Sequence, residues 1–126
     1  AAAVADYRPA AVADQKIKKE TMTSPDLKLT LNPDILLGLG ERKQNQVLVG
    51  FAAETNDVIT HGREKLVRKN LDLLVANDVS SPESGFHVDE NQVSLLTPDG
   101  HVSNYPRMAK EDIGTLIIEK IASIMK

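Results

Sequence analysis

Short, mostly apolar runs recur along the chain at positions 1–5, 46–51 and 71–76. Such runs are typical of strands that are buried on both faces, as in parallel sheets. The stretch 27–31 instead alternates apolar and polar residues, which also indicates a strand. The pattern therefore predicts three buried strands and one further strand.

Helical periodicity appears in three places. Pro33 opens a short helix that we expect to end near Gly38 or Gly40, and 57–70 forms a second helix. The last helix covers 110–125. Its predicted buried face carries Ile113, Leu116, Ile117, Ile121 and Ile124. Since a helix links the buried strands 46–51 and 71–76, these should form a right-handed βαβ unit with parallel strands.

Two polar stretches and one hairpin complete the pattern. Residues 8–26 predict a mobile lid loop, and 77–90 predict a second loop. Pro98-Asp99-Gly100 separates two short strands and predicts a β-hairpin. We therefore predict a Rossmann-like α/β fold over 1–126, with an open, mostly parallel sheet, helices on both faces and a terminal hairpin, belonging to a single domain.

Composition narrows the possible functions. Of 126 residues, 41% are hydrophobic and 3% aromatic, and the net charge of −3 does not suggest a nucleic-acid binder. The absence of cysteine excludes disulfides, thiolate catalysis and zinc–thiolate sites. No apolar run approaches the roughly 18–20 residues of a membrane span, and the first residues do not read as a signal peptide.

Polar residues follow each of the three buried strands. Asp6 ends the first, Glu54 and Thr55 follow the second, and Asn77 and Asp78 follow the third. Because ligands of open α/β sheets bind at the carboxyl ends of parallel strands, these residues should line one crevice. A strand-ending turn residue is the alternative interpretation of Asp6.

Lysines supply candidate anion-binding groups. Lys65 and Lys69 lie four residues apart on one helix face and could hold a polyphosphate, or could belong to a solvated face on which Glu64 pairs with Arg68. Lys16 lies in the predicted lid and could close over an anionic substrate; a basic surface loop is the alternative. The residues alone do not name a reaction.

Three further features bear on ligand binding. The helix start 32–35 offers free backbone N–H groups to an anion, although ordinary capping needs no ligand. Phe51 is either a core residue or a flat surface on which a ring stacks. The three histidines show no metal-ligand spacing, and no Gly-rich phosphate loop is present.

Six segments together resemble the bacterial phosphopantothenate–cysteine ligase family, usually the C-terminal half of a bifunctional protein whose other half is a flavin-dependent decarboxylase. They are AAAVADYRP at 1–9, KIKK at 16–19, LTLNPDIL at 29–36, VLVGFAAET at 47–55, REKLVRKNLDLLVANDV at 63–79, and Gly85-Phe86 with Asn91-Gln92-Val93. The resemblance covers nearly the whole chain. It implies coenzyme A biosynthesis in the cytoplasm.

The resemblance also implies an acid–amino-acid ligase reaction. Phosphopantothenate attacks CTP with Mg²⁺ to give an acyl-cytidylate and pyrophosphate, and cysteine then displaces CMP. The partners implied are CTP, 4′-phosphopantothenate, cysteine and a second copy in a homodimer, with FMN only in the absent decarboxylase half. The positions matching the family's nucleotide contacts are Ala1, Ala2, Asp6, Lys16, Pro33, Asp34, Ile35, Leu36, Phe51, Lys65 and Lys69, and Lys16 also matches the catalytic lid lysine.

The family's upstream strand and Gly-rich turn have no counterpart here, so the chain is expected to be the C-terminal part of the ligase domain with an incomplete site. Two alternatives remain at this point. One is a non-catalytic nucleotide-binding module of the same fold, and the other is an interaction domain that docks through its lysine loop.

Overall fold

The computed structural model describes residues 4–18, 26–54, 57–78 and 89–126, with only the backbone described at Glu54 and Asp78. The chain divides into two compact units, Ala1–Ile35 and Leu36–Lys126. None of the helices in the described residues is long and apolar enough to cross a membrane.

The first unit contains a two-stranded antiparallel sheet. Strand β1 (Tyr7–Pro9) pairs with β2 (Leu29–Leu31), so that Tyr7 lies opposite Leu31. The predicted strand at 27–31 is thus confirmed in a shorter form. The predicted buried strand at 1–5 is wrong at Val4 and Ala5, which are exposed and outside any strand, while positions 1–3 lie outside the described residues.

Helix α1 (Ile35–Arg42) runs through both glycines that were expected to end it. Gly40 is buried, and a Cβ atom built there would lie 2.0 Å from the carbonyl oxygen of Lys69. Glycine is therefore required at this position for close backbone approach, and not as a helix stop. A glycine in a helical pattern can mark either the end of the helix or a close backbone contact. The sequence does not distinguish the two, which explains why the predicted helix end was wrong.

The second unit is built on a four-stranded sheet. Its strands are β3 (Val49–Glu54), β4 (Leu73–Asp78), β6 (Val93–Leu96) and β7 (Val102–Asn104), in the spatial order β3-β4-β6-β7. Helix α2 (Val58–Arg68) joins β3 to β4, and these strands are parallel. The predicted βαβ unit is confirmed. The described sheet is mixed, since the other two pairings are antiparallel.

Alternating side chains of β4 separate two hydrophobic clusters. Leu74 and Ala76 pack with Leu66 of α2, whereas Leu73 and Val75 pack with Ile113 of helix α3 (Lys110–Ile124). The predicted arrangement of helices on both faces of an open α/β sheet is therefore confirmed. Ile117, Ile121 and Ile124 also pack on the α3 side, as expected from their spacing.

The predicted hairpin joins β6 to β7. Gly100 adopts a positive φ of 86° and donates its backbone N–H to the Thr97 carbonyl at 3.0 Å. Asp99 accepts hydrogen bonds from the Thr97 hydroxyl and from the His101 backbone N–H. These bonds, the Thr97 bond above all, lower the pKa of the Asp99 carboxyl below its ordinary value.

Strand β1 was not predicted, so the predicted lid loop 8–26 is wrong at its start, where β1 reaches Pro9. Two very short strands also went unpredicted. β5 (Glu90–Asn91) pairs antiparallel with β8 (Met108–Ala109) immediately before α3. Two residues cannot display a hydrophobic period, so the sequence pattern carried no signal for them. The predicted loop 77–90 is wrong at both ends, because β4 reaches Asp78 and β5 begins at Glu90; positions 79–88 lie outside the described residues.

Candidate functional site

A cavity of about 590 Å³ lies between the β3–β4 pair and helix α3. Apolar side chains form most of its lining, with Val75, Val93, Ile113 and Ile117 on its floor and the exposed ring of Phe51 at its edge. Asn77, Asn91 and Lys110 provide its polar groups. A concave, mostly apolar site with a few polar groups is typical of small-molecule binding.

Sheet register explains why this cavity faces α3. Phe51 lies opposite Val75, and Ala53 lies opposite Asn77, in the parallel pairing of β3 with β4. Side chains alternate between faces along a strand, so all four lie on the α3 face. Ala53 and Asn77 stand near the carboxyl ends of their strands, the edge at which open α/β sheets bind ligands.

Two buried acceptor atoms inside this region have no hydrogen-bond donor among the described residues. They are the side-chain oxygens Oδ1 of Asn77 and Asn91. Leaving a buried acceptor unpaired costs about 1–3 kcal/mol. Both residues line the cavity, so a molecule in it that donates N–H or O–H groups would recover this energy.

The short strands β5 and β8 position the third polar group. Lys110 is the first residue of α3, and its backbone N–H donates to the Asp89 carbonyl at 3.0 Å. Asn91 pairs with Met108 across the same two strands. This pairing places the start of α3 beside Asn91. The Lys110 ammonium and the Asn91 side-chain oxygen therefore border the same cavity.

In the first unit, the structure brings two predicted segments together. The Asn32 backbone N–H donates to the Asp6 carbonyl at 2.8 Å, and the Asn32 side chain donates to the Ala5 carbonyl at 2.7 Å. Arg8 donates to the Asn32 side-chain oxygen at 3.0 Å. Asp6 therefore lies beside the 32–34 stretch, as a shared site would require, and Arg8 is a neighbour that the sequence did not suggest.

The other predicted residues are distributed as follows. Lys16, Pro33 and Asp34 are exposed in the first unit, as is Ile35 at the start of α1, whereas Ala1 and Ala2 lie outside the described residues. In the second unit Leu36 packs against the α2-side core, so its side chain is unavailable to a ligand there. Phe51 lines the cavity.

Lys65 and Lys69 lie at the end of α2, and the Lys69 backbone N–H donates to the Lys65 carbonyl at 3.0 Å. Helix α2 and helix α3 pack on opposite faces of the sheet. The paired lysines therefore do not line the cavity at Phe51. Within one unit, the structure separates residues that the resemblance assigned to a single ligand.

Of the described residues that were predicted to line one crevice at three strand ends, only Asn77 lines this cavity. Thr55 and the side chains of Glu54 and Asp78 lie outside what the structure describes. Asn91 and Lys110 were missed as site residues, because a lone asparagine or lysine carries no signal until the fold places it. No group of three His, Cys, Asp or Glu residues within the described ranges could hold a metal ion.

The chain is similar to a known protein family and to several known proteins. A family model described as the DNA/pantothenate metabolism flavoprotein C-terminal domain (DFP) matches residues 1–125. The Coenzyme A biosynthesis bifunctional protein CoaBC of Bacillus subtilis is 48% identical over 127 residues, and that of Escherichia coli K12 is 46% identical over 125. These matches cover 99% and 97% of this chain but 30% of each relative.

One further relative and two solved structures are also similar to the chain. A Cysteine/Cysteine sulfinic acid decarboxylase from an unknown prokaryote is 38% identical over 99% of this chain and 35% of its own length. Among solved structures, the C-terminal domain of CoaBC matches with a TM-score of 0.74 at 35% identity, covering 98% of this chain and 54% of that one. A Streptococcus pneumoniae DNA/Pantothenate Metabolism Flavoprotein, at 22% identity and a TM-score of 0.73, supports the fold.

These comparisons confirm the expected likeness to the bacterial bifunctional coenzyme A protein and correct the activity inferred from it. The matching family is described as a flavoprotein domain and one relative is named a decarboxylase, which contradicts a CTP-dependent ligase. The predicted CTP, Mg²⁺, 4′-phosphopantothenate and cysteine are contradicted with it, as is the nucleotide-binding module. The assignment of FMN only to an absent half is contradicted by the same description.

Proposed function

We propose, because this chain belongs to the DNA/pantothenate metabolism flavoprotein C-terminal domain family, that it provides a ligand-binding domain for coenzyme A biosynthesis. The cavity between β3 and α3 takes a phosphate monoester whose body carries an amide-type N–H. Two candidate compounds with this chemistry are 4′-phosphopantothenoylcysteine, as substrate, and FMN, as the cofactor that the family description implies. The activity of the whole protein that this supports is decarboxylation of 4′-phosphopantothenoylcysteine.

One observation carries the proposal: the cavity combines an apolar lining with two unpaired buried acceptors and one cation. An apolar lining favours a ligand with a substantial uncharged body. Unpaired Oδ1 atoms favour N–H donors in that body. Lys110 favours an anionic end, since a lysine ammonium is a compact charge that binds phosphate.

4′-Phosphopantothenoylcysteine has these three parts in one molecule. Its chain is flexible and largely aliphatic, it contains two amide N–H groups, and it ends in a phosphate. Asn77 and Asn91 would accept from the amides, and Lys110 would meet the phosphate. The matched relatives named for coenzyme A biosynthesis support a ligand of this class.

FMN fits the same groups in a different way. The imide N–H of its ring could donate to Asn77 or Asn91, the Phe51 side chain at the cavity edge offers a surface for stacking, and Lys110 would meet its phosphate. Bound FMN would supply electron-transfer chemistry. The residues of this chain would bind the ring, orient it and shield part of it from water.

The test fills the cavity without disturbing the fold. Gly114 of α3 lines the cavity, and a Cβ built there meets no atom within 4 Å; the same is true of Gly38 in α1, which does not line it. We expect Gly114→Phe to weaken binding of the true ligand at least about tenfold, because the new side chain would fill space that the ligand occupies. Gly38→Phe is the matched control and should bind normally.

Isothermal titration of the full chain with 4′-phosphopantothenoylcysteine and, separately, with FMN distinguishes the two sources. Binding of one compound that Gly114→Phe alone weakens would identify the ligand. Failure of both compounds to bind the folded wild-type chain would overturn the proposal. Equal binding by wild type and Gly114→Phe would place the ligand elsewhere and overturn the assignment of this cavity.

The residues predicted from the family resemblance remain candidates for ligand contacts outside the cavity. In the first unit these are Asp6, Lys16, Pro33 and Asp34, with Ala1 and Ala2 outside the described residues. In the second unit they are Lys65 and Lys69. We propose that the lysines among them meet phosphate groups, because an ammonium group is their only ligand-binding chemistry.

A further inference from the structure

We infer that Asn77 and Asn91 determine which ligand the cavity accepts, by taking hydrogen bonds from its N–H groups and rejecting analogues that lack them. This inference rests on the proposed function, since it concerns the same cavity. It adds a chemical criterion that the family description does not contain. The ligand class is then defined by its donors and not by its size.

The two asparagines reach the cavity from strands of two different sheets. Asn77 lies on β4, which has partners on both sides, and is opposite Val93 in the β4–β6 pairing. Asn91 lies on β5, where it pairs with Met108 of β8. Acceptors held on paired strands can discriminate between ligands, because they do not move to accommodate a poor one.

Other described asparagines show that these two are unusual. The Asn104 side-chain oxygen accepts from the Ser94 hydroxyl at 2.7 Å, and that of Asn32 accepts from Arg8 at 3.0 Å. Asn77 and Asn91 have equally polar oxygens in a more apolar setting, yet the part of the chain that the structure describes offers them no donor. A leucine of similar size would fill either position without an unpaired group. Within the described residues, the two asparagines therefore carry a cost in stability that a hydrogen-bond donor in the cavity would remove.

Recognition by unpaired acceptors is selective. A site built to hydrogen-bond an N–H group rejects the analogue without it, because the buried oxygen is again left without a donor. An amide ligand should therefore bind well and the corresponding ester poorly. For a flavin, the same criterion applies to the imide N–H and to its N-methylated analogue.

The first experiment measures stability and binding in the same variants. We expect Asn77→Leu and Asn91→Leu to leave stability unchanged or raise it, measured by urea unfolding, while each weakens ligand binding about tenfold. Asn104→Leu is the matched control, and it should lower stability slightly and leave binding unchanged. A purely structural role predicts loss of stability in the two cavity variants with no change in affinity, and that result would overturn the inference.

The second experiment tests the N–H criterion directly. Wild-type chain is titrated with 4′-phosphopantothenoylcysteine and with the analogue in which an amide N–H is replaced by an ester oxygen, or with FMN and its 3-methyl analogue. We expect about tenfold discrimination, which the double Asn77→Leu, Asn91→Leu variant should lose. If the parent ligand binds the cavity but discrimination is absent or survives in that variant, this inference alone fails. If no parent compound binds, the proposed function fails with it.

Discussion

Lys43 and Asp72 form an ion pair in which Nζ and Oδ1 are 2.7 Å apart and the side chains are only 14% and 24% exposed. The other carboxylate oxygen accepts the Leu48 backbone N–H at 2.7 Å, and the Lys43 ammonium also donates to the Asn70 carbonyl at 3.1 Å. One carboxylate thus joins the segment before β3 to the segment before β4. This contact therefore aligns the starts of the parallel strands β3 and β4.

Replacing Asp72 should therefore destabilise the second unit. We expect Asp72→Ala to lower the free energy of unfolding by about 2–4 kcal/mol, because it removes the counter-charge of a largely buried ammonium and the acceptor of the Leu48 backbone N–H. Urea denaturation measures the change. The exposed Arg107–Glu90 pair, at 3.1 Å, provides the control: Glu90→Gln should cost less than about 1 kcal/mol. Equal losses would contradict the role of the Lys43–Asp72 pair.

Two glycines of α1 should respond in opposite directions to the same substitution. Gly40→Ala would push a methyl group against the Lys69 carbonyl, so we expect a loss of about 2 kcal/mol or more. At Gly38 the space is open. There alanine should raise stability by up to about 1 kcal/mol through its higher helix propensity. Thermal unfolding of both variants checks the pair, and a stable Gly40→Ala would show that α1 does not pack tightly at Lys69.

Asp99 should titrate below the ordinary range for an aspartate. Because the pKa is lowered in the folded state, the stabilisation is present above the unfolded-state pKa and disappears as the pH falls through the folded-state pKa. Thr97→Val removes the hydroxyl donor that contributes most. We expect this variant to raise the pKa of Asp99 towards its ordinary value in an NMR titration of the carboxyl carbon. An unchanged midpoint would contradict the hydrogen bond.

The positions of the lysines predict different effects on cavity binding. Lys110→Ala should weaken binding of the phosphorylated ligand about tenfold, because it removes the cation that lines the cavity. The double variant Lys65→Ala, Lys69→Ala changes two charges on the α2 face and should leave cavity binding unaltered. Titration calorimetry at a fixed ionic strength compares them. A larger loss in the double variant would favour the paired-lysine site over the cavity.

Several parts of the fold could be predicted because their residues carry a periodic signal. Leu73 to Ala76 form a continuous apolar run, and both of its faces proved to be covered, one by α2 and one by α3. Ile113 and Ile117 repeat at helical spacing and are buried. Gly100 in its turn motif placed the hairpin. In each case a local pattern reports directly on burial or on backbone conformation.

Other parts depend on contacts between distant residues and could not be predicted. Gly40 is explained only by the carbonyl of Lys69, which is 29 positions away. Asn91 and Lys110 meet at the cavity through β5 and β8, which are too short to show a pattern. The resemblance identified the right family of proteins but attached a ligase activity to it. Activity depends on the ligand that a site accepts, and six matched segments do not specify that.

Strand β4 lies between two strands and between two helices, and Leu73 and Ala76 are completely buried. Backbone amides in such a position exchange with solvent only when the whole unit opens. The slowest hydrogen exchange is therefore expected in β4, the strand that carries Asn77. A ligand-binding group on the element that opens last keeps its place during local fluctuations of the surrounding loops, so partial unfolding elsewhere should not release a bound ligand.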